Sequence, residues 1–202
     1  MTETAPIAQD APVVRNGVPV TKLFATREKL TTQPELAQFR FTARNSWIGG
    51  TASQTSIHEW YGVGTDHLHV EEFTFSADHP TLGNGHGPTP QESVLHALAA
   101  CLTAGIATVA AARKIQLTSV TSIVTGEIDV RGALAIREER RPDQPVVPVS
   151  VRPGFQKVTV AFEIDGDADA ESLEALVESS RATSAVYDML TGITPVEITV
   201  GA

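Results

Sequence analysis

The sequence predicts an α+β fold: antiparallel strands, one long apolar helix, further strands, and a closing helix pair. Three observations carry this. Apolar and polar residues alternate with period two over Phe39–Arg44 and again over Gln156–Ile164, the mark of half-buried strands. The run from Pro90 to Arg113 is apolar along its length and opens with helix-start signals. The elements come in groups of one kind, whereas a parallel sheet would need β and α to alternate.

Taken in order, residues 1–37 mix Pro, Thr and charge without clear period. They read as an extended arm with a short helix near Thr26–Leu36, ahead of a domain over 38–202. Phe39, Phe41 and Ala43 alternate with Arg40, Thr42 and Arg44 as a strand. Ser46-Trp-Ile-Gly-Gly50 reads as a turn. Thr55–Gly62 and His67–Ala77 read as two more strands, joined at Gly62-Val-Gly64, with a phase slip at Glu71-Glu72 that a bulge accommodates. Asp78 to Pro90 is loop. The long helix has Thr89 as N-cap, Pro90 at the first helical position and Glu92 in the capping-box position. Leu117–Val130, rich in Val, Ile and Thr, is a strand, and Gly132–Pro153 is irregular. Gln156–Ile164 is a strand, and Asp169–Thr183 an amphipathic helix with Leu173, Leu176 and Val177 on one face. A short helix, Ala185–Leu190, precedes a last strand over Pro195–Val200.

The composition, 42% hydrophobic and 19% charged, is that of a soluble globular protein. A net charge of -9 without a basic cluster argues against nucleic acid or an anionic membrane as partner. Val94–Ala112 is long enough for a bilayer, but eight of its residues are Ala, it carries His96 and two threonines, and no aromatic belt flanks it. It reads as the core helix of a compact protein. The start of the chain lacks a secretory pattern, and with a single cysteine this fits a reducing cytoplasm.

That cysteine, Cys101, sits midway along the apolar helix. Alone, it can form no internal disulfide. It is a buried inert thiol, a reactive thiol working by itself, or one that pairs with another molecule. A reactive thiol needs a polar or electropositive neighbour. A helix with small residues on every face needs cover on every face. Two copies packed through Ala97, Ala100, Ala104 and Gly105 inside shared sheets would supply it.

The string Gly85-His-Gly-Pro-Thr-Pro-Gln-Glu-Ser-Val-Leu-His-Ala-Leu-Ala-Ala-Cys101 resembles the helix signature of the OsmC/Ohr family of thiol peroxidases. Phe73–Pro80 before it, Gly126–Gly132 and Val151-Arg-Pro-Gly-Phe-Gln156 after it, and the closing Ser184-Ala-Val-Tyr-Asp-Met-Leu190 and Thr194-Pro-Val196 follow the family's order. The resemblance covers roughly residues 38 to 200, and the arm is similar to that of a longer branch. It implies an OsmC-like fold in which two antiparallel sheets wrap long central helices in an intertwined homodimer. It also implies an active site at each end of the subunit interface, with no metal and no bound cofactor. Cys101 would attack a hydroperoxide as thiolate and become a sulfenic acid.

The chain departs from that pattern twice. The family's second cysteine begins a Cys-Pro-Val motif, and here Ser184-Ala-Val stands in its place. A serine cannot resolve a sulfenic acid, so an external thiol is the expected reductant. Peroxidase members carry Pro-Glu ten residues before the cysteine. Here Gln91 holds that position and Glu92 follows it. On a helical wheel Gln91 lies about 80° from Cys101 and Glu92 about 180° away. Glu92 is therefore a candidate for catalysis and also for capping alone. Arg40, Arg44 and Arg131 are candidate activating cations. Of these Arg44 is placed with Gln91, Ser184 and Tyr187 as the expected pocket. His67 and His69 lie on one strand face with His58 near, yet no third or fourth ligand falls at metal spacing, and they read as a solvent-exposed pair.

The expected activity is that of an OsmC-like thiol peroxidase reducing organic hydroperoxides through Cys101. The alternative is a non-catalytic or redox-sensing protein that holds a small apolar ligand in a cavity at the dimer interface.

Overall fold

The computed structural model describes residues 13–201. Residues 1–12, on which part of the arm expectation falls, lie outside the described residues. A two-strand ribbon, β1 (Val14–Arg15) and β2 (Val18–Pro19), leads into α1 (Val20–Thr32) and a short 3-10 turn at Pro34–Ala37. The arm helix thus begins six residues earlier than the sequence predicts. The ribbon is fastened to the far end of the core helix. Arg15 Nη1 donates to the Ala111 carbonyl at 3.0 Å, and Asn16 pairs with the Ile115 carbonyl and the Leu117 N–H. Arg15 thereby satisfies a helix-terminal carbonyl.

The first sheet is antiparallel: β3 (Arg40–Phe41) and β4 (Arg44–Gly49) line one edge of β5 (Ala52–Gly62), and β6 (Thr65–Ala77) the other. The segment expected as a turn at 46–50 is strand through Gly49, and the chain reverses at Gly50 and Thr51. Val63 and Gly64 make the next reversal, both at positive φ, which matches the twist of the flanking strands. Pairing jumps from Ile57↔Phe73 to Glu59↔Leu68. Four β6 residues, 69–72, therefore stand opposite His58 alone, where the sequence slips phase. His67 is not a solvated histidine. Its ring stacks on Trp60 at 4.1 Å, and His69 meets the edge of Phe73.

Helix α2 (Pro90–Ala112) begins with both halves of a capping box, Thr89 to Glu92 and back. It is long and apolar enough to cross a membrane; here it is the central helix, burying Leu98, Leu102, Ile106, Ala110 and Ala111. After it come β7 (Leu117–Glu127), the one-turn α3 (Val130–Ala133), a small ribbon of β8 (Glu138–Glu139) and β9 (Val147–Pro148), and β10 (Lys157–Gly166). Strands β7 and β10 form a second, two-stranded antiparallel sheet. Helices α4 (Ala170–Thr183, capped by Asp169) and α5 (Ala185–Thr191, capped by Ser184) close the fold. The core lies between α2, α4 and the β7–β10 sheet, centred on Ile106, Ala110 and Leu176 with Phe162, Ile164 and Val120 around them.

Helices α2 and α4 run antiparallel and close together. Ser180 is buried, its hydroxyl donates to the Leu102 carbonyl at 2.7 Å, and a Cβ at Gly105 would overlap that hydroxyl and lie 3.0 Å from Ser180 Cβ. Gly105 thus serves contact with α4 of its own chain and not a second copy of α2, whereas Ala100 and Ala104 are exposed.

One predicted element is absent. Residues 195–200 pair with no strand, and Val196, Ile198 and Val200 stand in solvent. Their alternation is strand-like, but a strand forms only against a neighbouring edge, and among the described residues none pairs with them. The first sheet is also uncovered: Phe41 and Trp47 are 75% exposed and Val70 wholly so.

Candidate functional site

Cys101 lies on the face of α2 turned toward the junction of α4 and α5. At that junction Ser184 is at once the last-turn flank of α4 and the N-cap of α5. Its hydroxyl accepts the Tyr187 N–H at 3.1 Å and donates to Cys101 Sγ at 3.1 Å. An oxygen so placed has its proton aimed at sulfur, because the cap bond occupies a lone pair. Partial burial pushes the thiol up. The Ser184 hydroxyl, followed by the Val186 and Ala185 N–H groups, outweighs it and holds the thiol below its ordinary value. These donors favour the thiolate by hydrogen bonding to the charged form.

A cavity of about 640 Å³ lies between the N-terminal half of α2, β10 and α5. Gln91, Val94 and Leu98 line it from α2, and Tyr187 and Leu190 from α5. These α2 residues continue the helical stripe that reaches Cys101 one turn further on. Gln91 and Tyr187 share that cavity, while of the expected pocket residues it is Ser184 that touches the sulfur. Glu92 does neither. Its Oε2 accepts the Thr89 N–H at 2.7 Å and the Thr89 hydroxyl at 2.9 Å, which lowers its pKa. It faces a different cavity, of about 520 Å³, between α2 and the first sheet, beside His96. The α2 N-terminus thus separates two cavities, with Gln91 lining one and Glu92 the other.

The candidate cations are engaged elsewhere. Arg44 pairs with Glu59 at 2.5 Å, Arg40 with Asp66 over the Tyr61 ring, and Arg131 with Asp129 and Glu139. Among the described residues of this chain, the hydrogen bonds that lower the thiol come from Ser184 and two backbone N–H groups, not from an arginine.

Sequence reasoning missed Asp78. It is 2% exposed and gathers the loop before α2: Oδ1 accepts from Thr51 Oγ1 and His79 N at 2.7 Å each, and Oδ2 from Asn84 N at 2.9 Å and His86 N at 3.4 Å. The Thr51 hydroxyl and these N–H groups lower its pKa to about 2. A Cβ at Gly83 would strike this carboxylate. The overlooked signal was an Asp opening a glycine-rich loop.

Comparison with known proteins gives the context. Residues 83–199, more than half of the chain, match the family described as OsmC-like protein. An OsmC-like protein from Mycoplasma pneumoniae superposes with a TM-score of 0.54 at 15% identity, over 76% of this chain and 89% of that one. An organic hydroperoxide resistance protein OsmC from Legionella pneumophila gives a TM-score of 0.43 at 18% identity, over 75% and 90%. No curated protein matches by sequence. The motif order, the central helix with its cysteine and the family match agree: the chain belongs to the OsmC-like protein family.

Proposed function

We propose that the protein is a homodimeric thiol peroxidase that reduces organic hydroperoxides through Cys101, with an external thiol as reductant in a reducing, cytoplasmic compartment. The observation that carries this is the Ser184 hydroxyl donating to Cys101 Sγ at 3.1 Å, backed by two N–H groups. The thiolate attacks the terminal oxygen of R–O–O–H. The S–O bond forms as the O–O bond breaks, and the alkoxide leaves with the electron pair and takes up a proton. The products are Cys101–SOH and ROH. Ser184 holds the resting thiolate and has no sulfur with which to close a disulfide. An external thiol then attacks the sulfenic sulfur, releasing water and leaving a mixed disulfide. A second external thiol restores Cys101 and departs as the oxidised disulfide.

Uncovered surface supports the dimer. The chain exposes 15357 Å², where a folded monomer of this mass exposes about 9,200 Å². Even if the residues outside 13–201 were fully extended and added about 2,000 Å², about 4,000 Å² per chain remains to be covered, more than a standard interface buries. The open face of the first sheet, the exposed Ala100 and Ala104 of α2 and the unpaired strand-like tail at 195–200 are the complementary parts. A second copy would bring sheet to helix and edge to tail.

One observation favours the alternative, a ligand-holding or redox-sensing protein: Cys101 is outside the lining of the cavity between α2, β10 and α5. Competition kinetics with cumene hydroperoxide and a small thiol separate the two. Peroxide consumption by wild type and its loss in Cys101→Ser support the enzyme. Equal, slow consumption by both overturns it.

A further inference from the structure

We propose that Asn84 is a site of spontaneous modification: its side-chain amide is lost to attack by the Gly85 backbone nitrogen, and the aspartyl or isoaspartyl residue that results loosens the loop held by Asp78. This reactivity belongs to the loop and is independent of Cys101.

The chain has three asparagines, Asn16, Asn45 and Asn84, and two of them, Asn16 and Asn84, precede glycine. An Asn–Gly pair is the most open to this reaction, because a nitrogen whose own residue carries no Cβ meets least hindrance. The fold then separates the three. Asn16 is held at both ends, its Nδ2 donating to the Ile115 carbonyl and its Oδ1 accepting the Leu117 N–H, at 2.9 Å each. Asn45 lies within β4 and its Nδ2 donates to Thr55 Oγ1 at 2.7 Å. Asn84 stands exposed in the loop between β6 and α2. Among the described residues, neither its side chain nor the Gly85 N–H has a hydrogen-bond partner. Space is open around Gly85, where an added Cβ would find its first neighbour, Pro80 Cα, at 3.9 Å.

The step balances with water alone. Gly85 N bonds to Asn84 Cγ, and the side-chain nitrogen leaves as ammonia with the proton that Gly85 N gives up. Water then opens the cyclic imide, and nothing is oxidised or reduced. Attack at Cγ leaves an aspartyl residue. Attack at the main-chain carbonyl leaves an isoaspartyl residue, in which the chain runs through Cβ and Cγ and is longer by one carbon. That carbon falls where the loop is least able to take it. Asp78 Oδ2 accepts from Asn84 N at 2.9 Å and from His86 N at 3.4 Å, two donors with the altered linkage between them. The loop is fixed at its ends, because Asp78 N donates to the Pro88 carbonyl at 3.1 Å and a Cβ at Gly87 would lie 3.0 Å from the Ser76 carbonyl. The isoaspartyl linkage therefore draws a donor off a buried carboxylate, and either product sets a second negative charge near it. His86, Gly87 and Pro88 line the cavity between α2 and the first sheet, so the wall of that cavity loosens with the loop.

The full chain is incubated in mildly alkaline buffer at physiological temperature, folded and in denaturant, then cut with a Glu-specific protease, which isolates Asn84 between Glu72 and Glu92. Mass spectrometry reads the exchange of amide for acid, and fragmentation distinguishes the two products. Relative to its own rate in denaturant, Asn16 should be slowed about thirtyfold by folding, because two hydrogen bonds must open first, and Asn84 should not. The thermal midpoint of the aged folded protein should fall, whereas that of Asn84→Gln aged in parallel should not, since the longer side chain closes the ring poorly. Should Asn84→Gln lower the midpoint before ageing, Asn84→Ser gives the same comparison. Folding that slows Asn84 as much as Asn16, or an aged wild type that loses no more of its midpoint than the aged variant, overturns the proposal.

Discussion

Replacing Ser184 with alanine removes one oxygen that serves two partners, and the two effects separate. The O–H donated to Cys101 Sγ at 3.1 Å is a hydrogen bond to a charged group when the thiol is ionised, worth about 1.5–3 kcal/mol. The lower end applies to a half-buried sulfur. At 1.36 kcal/mol per pKa unit that is about one unit, upward. At a pH below the thiol's pKa, one unit removes about nine-tenths of the thiolate, and the greater nucleophilicity of the remainder returns part of the rate. Exchange with a small disulfide should then slow about three- to fourfold. The lost N-cap of α5, which receives the Tyr187 N–H, costs about 1 kcal/mol of stability. Ser184→Gly keeps most of the cap stability and should show the pKa rise with little loss of stability. The assay is ultraviolet absorbance of the thiolate against pH, alongside chemical denaturation. A thiol that titrates at the same pH in wild type and both variants refutes the reasoning.

The same geometry makes Ser184→Cys informative: the Ser184 oxygen is 3.1 Å from Cys101 Sγ, and a sulfur in its place needs a shift of about 1 Å to reach bonding distance. One equivalent of peroxide should remove two titratable thiols per chain without crosslinking chains. Gly105→Ala should destabilise by about 1–3 kcal/mol through overpacking against Ser180, an amount read in denaturant and exceeding the helix propensity that alanine adds. Asp78 carries a native pKa of about 2 against an ordinary 3.8. Its contribution is fully present above about pH 4 and is lost as pH falls toward 2. Asp78→Asn should therefore be less stable than wild type at neutral pH, and the gap should narrow across that window in acid denaturation profiles.

Periodicity and capping alone made the central helix, the strands β7 and β10 and the helix α4 legible, because each expresses its pattern within its own residues. The capping box at Thr89 and Glu92 is the clearest case, since its halves lie three residues apart. What escaped was what depends on a distant surface. Residues 195–200 alternate as a strand should, but no edge among the described residues meets them. Ser46–Gly50 read as a turn because its glycines were weighed more than the pairing that β5 supplies as far as Gly49. In the site, the position of Cys101 followed from the resemblance, and the wheel that set Gln91 and Glu92 about 100° apart matches their lining of different cavities. The donors to the sulfur could not be read ahead, because two of them are backbone N–H groups carried in by α5.

Gly105 and Ser180 touch close to one helical turn from where Cys101 and Ser184 touch, on the same antiparallel pair of helices. Two contact points so spaced fix both the slide and the roll of one helix on the other, as two pins align a plate. The reactivity of the sulfur is therefore adjustable from a position that never meets a ligand. A library confined to the cavity wall would pass over residue 105, although side-chain volume there sets the distance at which the hydroxyl addresses the thiol.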